Sequence, residues 1–122
     1  MARIFELHRK STLALRQRKT ALLHQLRLPP EVLRASCVEQ FLTCGKRACP
    51  CHQRPDRRHG PYYYLILCLG TGRIRKFLLK NASQQQQART GTSAYSQFME
   101  GVEELSQINA ELLRRGDPLQ AE

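Results

Sequence analysis

The sequence predicts an α+β fold: a small three-stranded antiparallel meander with an inserted Cys/His loop, flanked by an N-terminal and a C-terminal helix. Three observations predict it. Residues 3–28 lack Gly and Pro, three β-rich segments lie between residues 36 and 80, and residues 81–115 have a helical pattern. A chain of 122 residues is long enough for one domain with a modest core. We therefore expect residues 1–122 to form a single domain, with the two helices packed as an antiparallel pair.

The N-terminal helix is predicted over residues 3–28, which are rich in Leu, Arg, Lys and Gln. The prolines at 29 and 30 disfavour helical backbone at the preceding residue and end it. One apolar stripe contains Leu15, Leu22 and Leu26, extended upstream by Ile4, His8 and Ser11. The other faces carry the cations Arg9, Arg16, Lys19 and Arg27. The segment is therefore a basic helix with one side to bury.

Three strands are predicted in residues 36–80, from the segments SCVEQFLT, YYYLILCL and RIRKFLLK. The Gly-Thr-Gly at 70–72 predicts a hairpin turn between the last two strands. Three short strands bury little apolar surface, so such a sheet needs a helix or a covalent or metal staple to support it.

The C-terminal helix is predicted over residues 81–115, with Asn81 or Ser83 as its N-cap and residues 116–122 as a frayed tail. Gly91 and the Gln-rich start weaken the prediction that this helix is continuous. A heptad seam contains Tyr95, Phe98, Val102, Leu105, Asn109 and Leu112. A homodimer or a docked partner helix on this seam is the alternative to pairing with the N-terminal helix.

Charge is distributed unevenly along the chain, whose formal net charge is +10. Residues 1–80 contain 17 Lys and Arg against 4 Asp and Glu, whereas residues 81–122 contain 3 against 6. A basic field of this size attracts polyanions, so we expect a nucleic acid, DNA or RNA, as a partner. The competing interpretation is a basic surface that serves only solubility.

Three cysteines and two histidines cluster in residues 43–65. Cys44, Cys49 and Cys51 with His59 supply three thiolates and an imidazole, a common set for a structural zinc ion. His52 is the rival fourth ligand, ranked lower because it is adjacent to Cys51. Cys37 and Cys68 are expected to be small buried residues of the strands instead.

A catalytic role is not expected. A catalytic zinc usually has a carboxylate nearby, and Asp56, the acid of this loop, is set among arginines. The chain contains no H-E-x-x-H, phosphate loop or nucleophile elbow. It also lacks a run of about 20 apolar residues and an N-terminal apolar block, so we expect a cytoplasmic protein without membrane contact.

Aromatic residues and cations adjoin the Cys/His loop, as stacking on bases and neutralisation of phosphates would require. Tyr62 and Tyr64 are expected on one sheet face and Tyr63 on the other. The predicted contact set is Lys46, Arg47, Arg54, Arg57, Arg58, Tyr62, Tyr63, Tyr64, Arg73, Arg75 and Lys76. Two alternatives are that the tyrosines only pack in the core, and that the basic N-terminal helix makes the main contact.

Residues 44–65, CGKRACPCHQRPDRRHGPYYYL, resemble the signature of a family of small uncharacterised prokaryotic proteins. That signature is C-G-K-x-x-C-x-C, a spacer, H-G-P-Y-Y-Y-L, a hairpin and a long helix, and the resemblance covers about residues 36–115. It implies a shared fold and metal site, and some members are associated with mobile elements. It implies no activity.

Overall fold

The computed structural model describes residues 3–120 and confirms the α+β class. In chain order the elements are α1 (Thr12–Gln25), β1 (Ala35–Leu42), β2 (His59–Leu69), β3 (Arg73–Leu78) and α2 (Ala82–Arg115). Two short 3-10 turns, Pro50–His52 and Pro55–Arg57, lie between β1 and β2. The chain divides into a helical unit (Met1–Pro30 with Tyr95–Glu122) and a sheet unit (Glu31–Ala94). That residues 1–122 form one domain stays a prediction, and residues 121–122 of the predicted tail lie outside the described part.

The helical unit pairs α1 with the later part of α2. Its buried core consists of Leu7, Leu15, Leu22, Ile108 and Leu112, against which Phe5, Leu26 and Leu105 pack. Arg115 Nη1 donates to Thr12 Oγ1 at the start of α1, and Gly101 contacts Leu26, just beyond its end. The two helices are therefore antiparallel, as predicted.

The predicted start of α1 at residue 3 is wrong, because the helix begins at Thr12. The side chain of Ser11 accepts a hydrogen bond from the Ala14 amide at 3.1 Å and caps the helix there. Arg115 Nη2 donates to the Lys10 carbonyl at 2.7 Å and holds the preceding segment in a non-helical conformation. Ile4 is 85% exposed, so the apolar stripe does not extend upstream to it.

Helix α2 is continuous through both of its glycines. Asn81 Oδ1 accepts from the Gln84 amide at 2.8 Å and is the N-cap, one of the two predicted candidates. The glycines allow close packing: a Cβ on Gly91 would lie 2.5 Å from the Glu31 carbonyl oxygen, and one on Gly101 would lie 2.5 Å from Leu26 Cδ2. Gly91 and Gly101 therefore do not interrupt the helix, and their lack of a side chain allows its close contacts.

The buried face of α2 in the helical unit differs from the predicted seam. Leu105 and Leu112 pack in the core as the seam requires, but Ile108 is fully buried and lies outside it. Asn109 borders a groove of about 690 Å³ beside Leu23 and Leu105. Its Oδ1 is buried without a hydrogen-bond partner among residues 3–120. Leu105 and Leu112 of the seam are thus covered by α1 of the same chain.

The sheet unit contains an antiparallel sheet in the order β1-β2-β3. The predicted hairpin turn is present, and Thr71 and Gly72 have positive φ angles of 66° and 77°. Leu65 of β2 and the following Leu79 pack against Ala88 of α2, with Leu33, Ala35, Tyr63 and Leu67 around them. One sheet face therefore rests on the first part of α2.

The opposite sheet face, which we call the open face, carries the alternate residues of each strand. They are Ser36, Val38 and Gln40 of β1, Tyr62, Tyr64, Ile66 and Cys68 of β2, and Ile74, Lys76 and Leu78 of β3. Cys37 and Cys68 are exposed, so the prediction that they are buried is wrong. Cys37 lies on the edge strand β1, and Cys68 lies near the end of β2, beyond the last residue that pairs with β1. Within residues 3–120 no helix is long and apolar enough to cross a membrane.

Candidate metal centre

The four predicted ligands are brought together by the pairing of β1 with β2. Leu42 is paired with His59, so Cys44, two residues beyond β1, lies at the same end of the sheet as His59. Cys49 and Cys51 flank Pro50, which begins a 3-10 turn. That turn folds the loop back toward the strand ends, as a chelating loop must.

The ligand atoms of Cys44, Cys49, Cys51 and His59 all lie within 4.8 Å of one another. The Cys44 and Cys51 sulfurs are 3.7 Å apart, and Cys49 Sγ is 3.4 Å from His59 Nε2. A tetrahedral zinc ion with ordinary bond lengths requires separations of about 3.8 Å between two sulfurs and about 3.6 Å between sulfur and nitrogen. The residues therefore fit a tetrahedral metal ion, and His59 uses its Nε2 atom.

His52 lies outside this cluster. It is exposed at the end of the 3-10 turn, whereas His59 at the start of β2 joins the three cysteines. The geometry therefore groups His59, rather than His52, with the three cysteines.

The thiols differ in their environments. Cys51 is 2% exposed, and this burial raises the pKa of its thiol. The pKa of the Cys49 thiol is lowered, chiefly by a hydrogen bond from the Cys51 backbone. The Cys44 amide donates to Cys51 Sγ at 3.4 Å. Such amide donors stabilise negative charge on sulfur and are typical of thiolate metal sites.

Gly60 follows the ligand His59, which is the first residue of β2. Its φ of +135° is disfavoured for other residues, and a Cβ there would lie 2.8 Å from the Gln40 carbonyl oxygen. Only glycine therefore fits at position 60 when β1 and β2 pair beside the cluster.

Three cysteines and one histidine fill a tetrahedral coordination shell, the pattern of closed structural zinc sites. The nearby carboxylate of Asp56 is 3.6 Å from Arg54 Nε in an exposed ion pair. A metal ion held by these four residues would fix the loop at the end of the sheet.

The loop that contains the metal ligands also carries five cations. Lys46, Arg47, Arg54, Arg57 and Arg58 are all exposed. Counted over its sequence, the sheet unit contains eleven Lys and Arg against three Asp and Glu, a net charge of +8 of the total +10. The basic field is thus concentrated in the unit that contains the metal ligands.

The predicted contact residues of the strands do not share one face. Arg75 is paired with Leu67, and Arg73 with Leu69, on the side that rests on α2, although both arginines are exposed. Lys76 lies on the open face with Tyr62 and Tyr64, while Tyr63 points to the core of the sheet unit. The alternation of side chains along β3 therefore divides the expected cationic surface in two.

One relationship on the open face was missed by the sequence reasoning. Lys76 Nζ lies 4.3 Å from the centre of the Tyr64 ring and donates to Gln40 Oε1 at 2.8 Å. Gln40 is paired with Tyr62, so the lysine reaches from β3 across β2 to β1. No local sequence signal indicates this contact, because it runs diagonally across one sheet face and depends on the register of the three paired strands.

Two cations of the N-terminal segment form hydrogen bonds to backbone carbonyls of their own unit. Arg16 Nη2 donates to the Pro118 carbonyl at 2.6 Å, and Lys19 Nζ donates to the Leu119 carbonyl. Arg9 precedes α1 and is exposed. The two central cations of the predicted basic helix are thus bonded to the C-terminal segment of the same unit.

Comparison of this chain with protein-family models, with curated proteins and with solved structures finds no match. The resemblance of residues 44–65 to a family signature stays a prediction.

Proposed function

We propose that this chain is a non-enzymatic zinc-binding protein that binds nucleic acid, DNA or RNA, in an accessory role. The observation that carries the proposal is the concentration of positive charge in the unit that contains the Cys/His cluster, whose net charge is +8. A link to a mobile element and the cytoplasmic location rest on the sequence alone.

Zinc is the metal that this donor set favours. Three thiolates and an imidazole are soft or borderline ligands, and the separations between their atoms match a tetrahedral ion. Calcium and magnesium prefer oxygen ligands, and Asp56 is the one carboxylate of this loop. The role proposed for zinc is to hold the loop at the end of the sheet.

The loop arginines then act on the phosphate backbone. Arg57 and Arg58 are exposed and immediately precede the ligand His59, so zinc binding fixes their backbone position. Phosphate contacts of this kind neutralise charge and release counterions, which makes the affinity depend on salt but little on sequence.

The experiment is a salt titration of binding to a fluorescent oligonucleotide. Neutralisation of Z phosphates gives a slope of log affinity against log salt of about −0.7Z to −0.9Z. Replacing both Arg57 and Arg58 by alanine should therefore flatten the slope by about one to two units and weaken all sequences about equally.

The matched control is the double change Arg9→Ala and Arg27→Ala, which removes the same charge from the N-terminal segment. It should change the slope little. The reverse result, in which the N-terminal variant flattens the slope and the loop variant does not, would move the contact surface to that segment. A zinc-loaded protein that binds no oligonucleotide at low salt refutes the proposed function.

The second candidate is a protein-interaction adaptor that uses the C-terminal helix. Leu13 of α1 and Leu113 of α2 are 68% and 66% exposed in the helical unit. Exposed leucines of this kind favour an adaptor role. Coverage of Leu105 and Leu112 by α1 argues against a partner on the predicted seam. Leu113→Asp would abolish capture of a protein partner or a dimer and leave oligonucleotide affinity unchanged if the adaptor role is correct.

A further inference from the structure

The open face combines exposed apolar and aromatic area with one cation. Ile74 is 67% exposed, Leu78 40% and Tyr62 38%. The acid of the three strands, Glu39, is paired with Tyr63 and so lies on the other face. Apolar area that is continuous on a surface marks an interaction site. A face without an acid in a strongly basic unit suits an anionic ligand with apolar parts.

The position of Lys76 adds a second observation. Its ammonium group lies over the Tyr64 ring and donates a hydrogen bond to Gln40. Gln40 is the residue of β1 that pairs with Tyr62 of β2. The ammonium group of Lys76 is therefore held against the open face, beside Tyr64. The ring of Tyr62 has no such cation among residues 3–120.

We propose that the open face binds single-stranded nucleic acid, with an unpaired base stacked on Tyr62 and a phosphate contacted by Lys76. This inference rests on the proposed function and specifies its substrate. Aromatic side chains of a sheet stack on bases only when the bases are released from a duplex, whereas the loop arginines contact phosphates of either form.

A second copy of the chain fits this face less well. A two-fold contact through the open face would bring together two units of net charge +8. A polyanion with flat apolar bases complements both the charge and the tyrosine. The charge of the face therefore favours a nucleic-acid strand over a copy of the protein.

The test compares the zinc-loaded protein on a 12-nucleotide oligothymidylate and on a 12-base-pair duplex. Tyr62→Leu keeps an apolar side chain but removes the ring, and it should weaken single-strand binding by roughly 5- to 150-fold with little change on the duplex. Tyr62→Phe keeps the ring and should retain the affinity. Tyr95→Leu, in the helical unit, is the matched control and should change neither.

Tyrosine fluorescence provides a readout that a purely structural role would not change. The chain has four tyrosines and no tryptophan, so quenching by a stacked base reports on tyrosine alone. The single strand should quench the wild-type protein, and Tyr62→Phe should bind equally well with less quenching.

The outcomes separate this inference from the proposed function. Equal effects of Tyr62→Leu on both forms, or none, overturn base stacking while the salt slope of the loop variant still supports phosphate binding. Selective loss with Tyr62→Leu supports stacking even if the loop variant keeps the wild-type slope. A dimer that Ile74→Asp dissociates without loss of single-strand affinity overturns the inference in favour of an interface between copies.

Discussion

Arg18 of α1 and Glu104 of α2 form a bidentate ion pair, with Nε–Oε2 and Nη2–Oε1 separations of 2.6 and 2.8 Å. The Glu104 side chain is only 12% exposed, and the hydrogen bond from Arg18 lowers the pKa of its carboxyl. The pair lies within the helical unit and links its two helices. Bidentate geometry fixes the orientation of both side chains, so this pair also favours the antiparallel register of α1 and α2.

The first prediction is that Arg18 and Glu104 are energetically coupled. A double-mutant cycle with Arg18→Ala and Glu104→Ala should give a coupling energy of about 0.5 to 1 kcal/mol, reduced by the exposure of Arg18. The control is the pair Arg3–Glu100, at 2.9 Å but with both side chains more than half exposed. Its coupling should be near zero. Equal coupling in the two pairs, measured by urea unfolding, would contradict the prediction.

The second prediction concerns acid stability. Hydrogen bonds from Arg114, and less so from Arg115, lower the pKa of Glu111 from 4.5 to about 2. A carboxylate with a depressed folded-state pKa stabilises the fold above its ordinary pKa, and this contribution is lost as the pH falls from about 4.5 to about 2. Glu111→Gln should therefore be less stable than the wild type at pH 6, and the difference should shrink toward pH 2.

The matched control for this titration is Glu103→Gln, a neighbouring position of the same helix. The pH dependence of stability should be larger for Glu111→Gln than for this control. Denaturant midpoints measured at several pH values provide the comparison. A constant difference for Glu111→Gln would show that its charge makes no contribution in the folded state.

The third prediction distinguishes the two glycines of α2. Alanine favours a helix over glycine by about 1 kcal/mol, but overpacking costs about 1 to 3 kcal/mol. At Gly91 the obstacle is the Glu31 backbone oxygen, whereas at Gly101 it is the end of the Leu26 side chain, which can rotate. We expect Gly91→Ala to destabilise the protein by about 1 to 2 kcal/mol and Gly101→Ala to be nearly neutral. Thermal melts of the two variants test this order.

The fourth prediction is the metal content. Protein purified without chelator should contain about one zinc ion per chain by elemental analysis. Cys51→Ser should lose most of it, because Cys51 is a buried member of the cluster. Cys68→Ser, at an exposed cysteine outside the cluster, should retain it. A fully folded wild-type protein that contains no metal would refute the assignment.

The sequence predicted the strands, the long helix and the Cys3His cluster because each depends on local signals. Cys44, Cys49 and Cys51 are close along the chain, and the hairpin turn that joins β2 to β3 is three residues long. The chain geometry therefore leaves few arrangements for these features.

What the sequence did not predict depends on contacts between distant residues. The start of α1 is set in part by Arg115, more than a hundred residues away, which bonds to the carbonyls before Ser11. Ile108, which is outside the predicted seam, is buried because of where α1 lies. The contacts of Lys76 depend on the register of the strands. Propensity and periodicity contain no information about such partners.

The pairing of Leu42 with His59 has a kinetic consequence. Before any β1–β2 bond forms, the unfolded chain must close the segment between Cys44 and His59, a loss of entropy worth on the order of 3 kcal/mol for about 15 residues. A metal ion bound by these two residues in the unfolded chain would close this loop before the strands pair. It would also align the strands in a single register. Refolding of the zinc-loaded chain should then be faster than refolding of the apoprotein, and slippage between β1 and β2 should be suppressed.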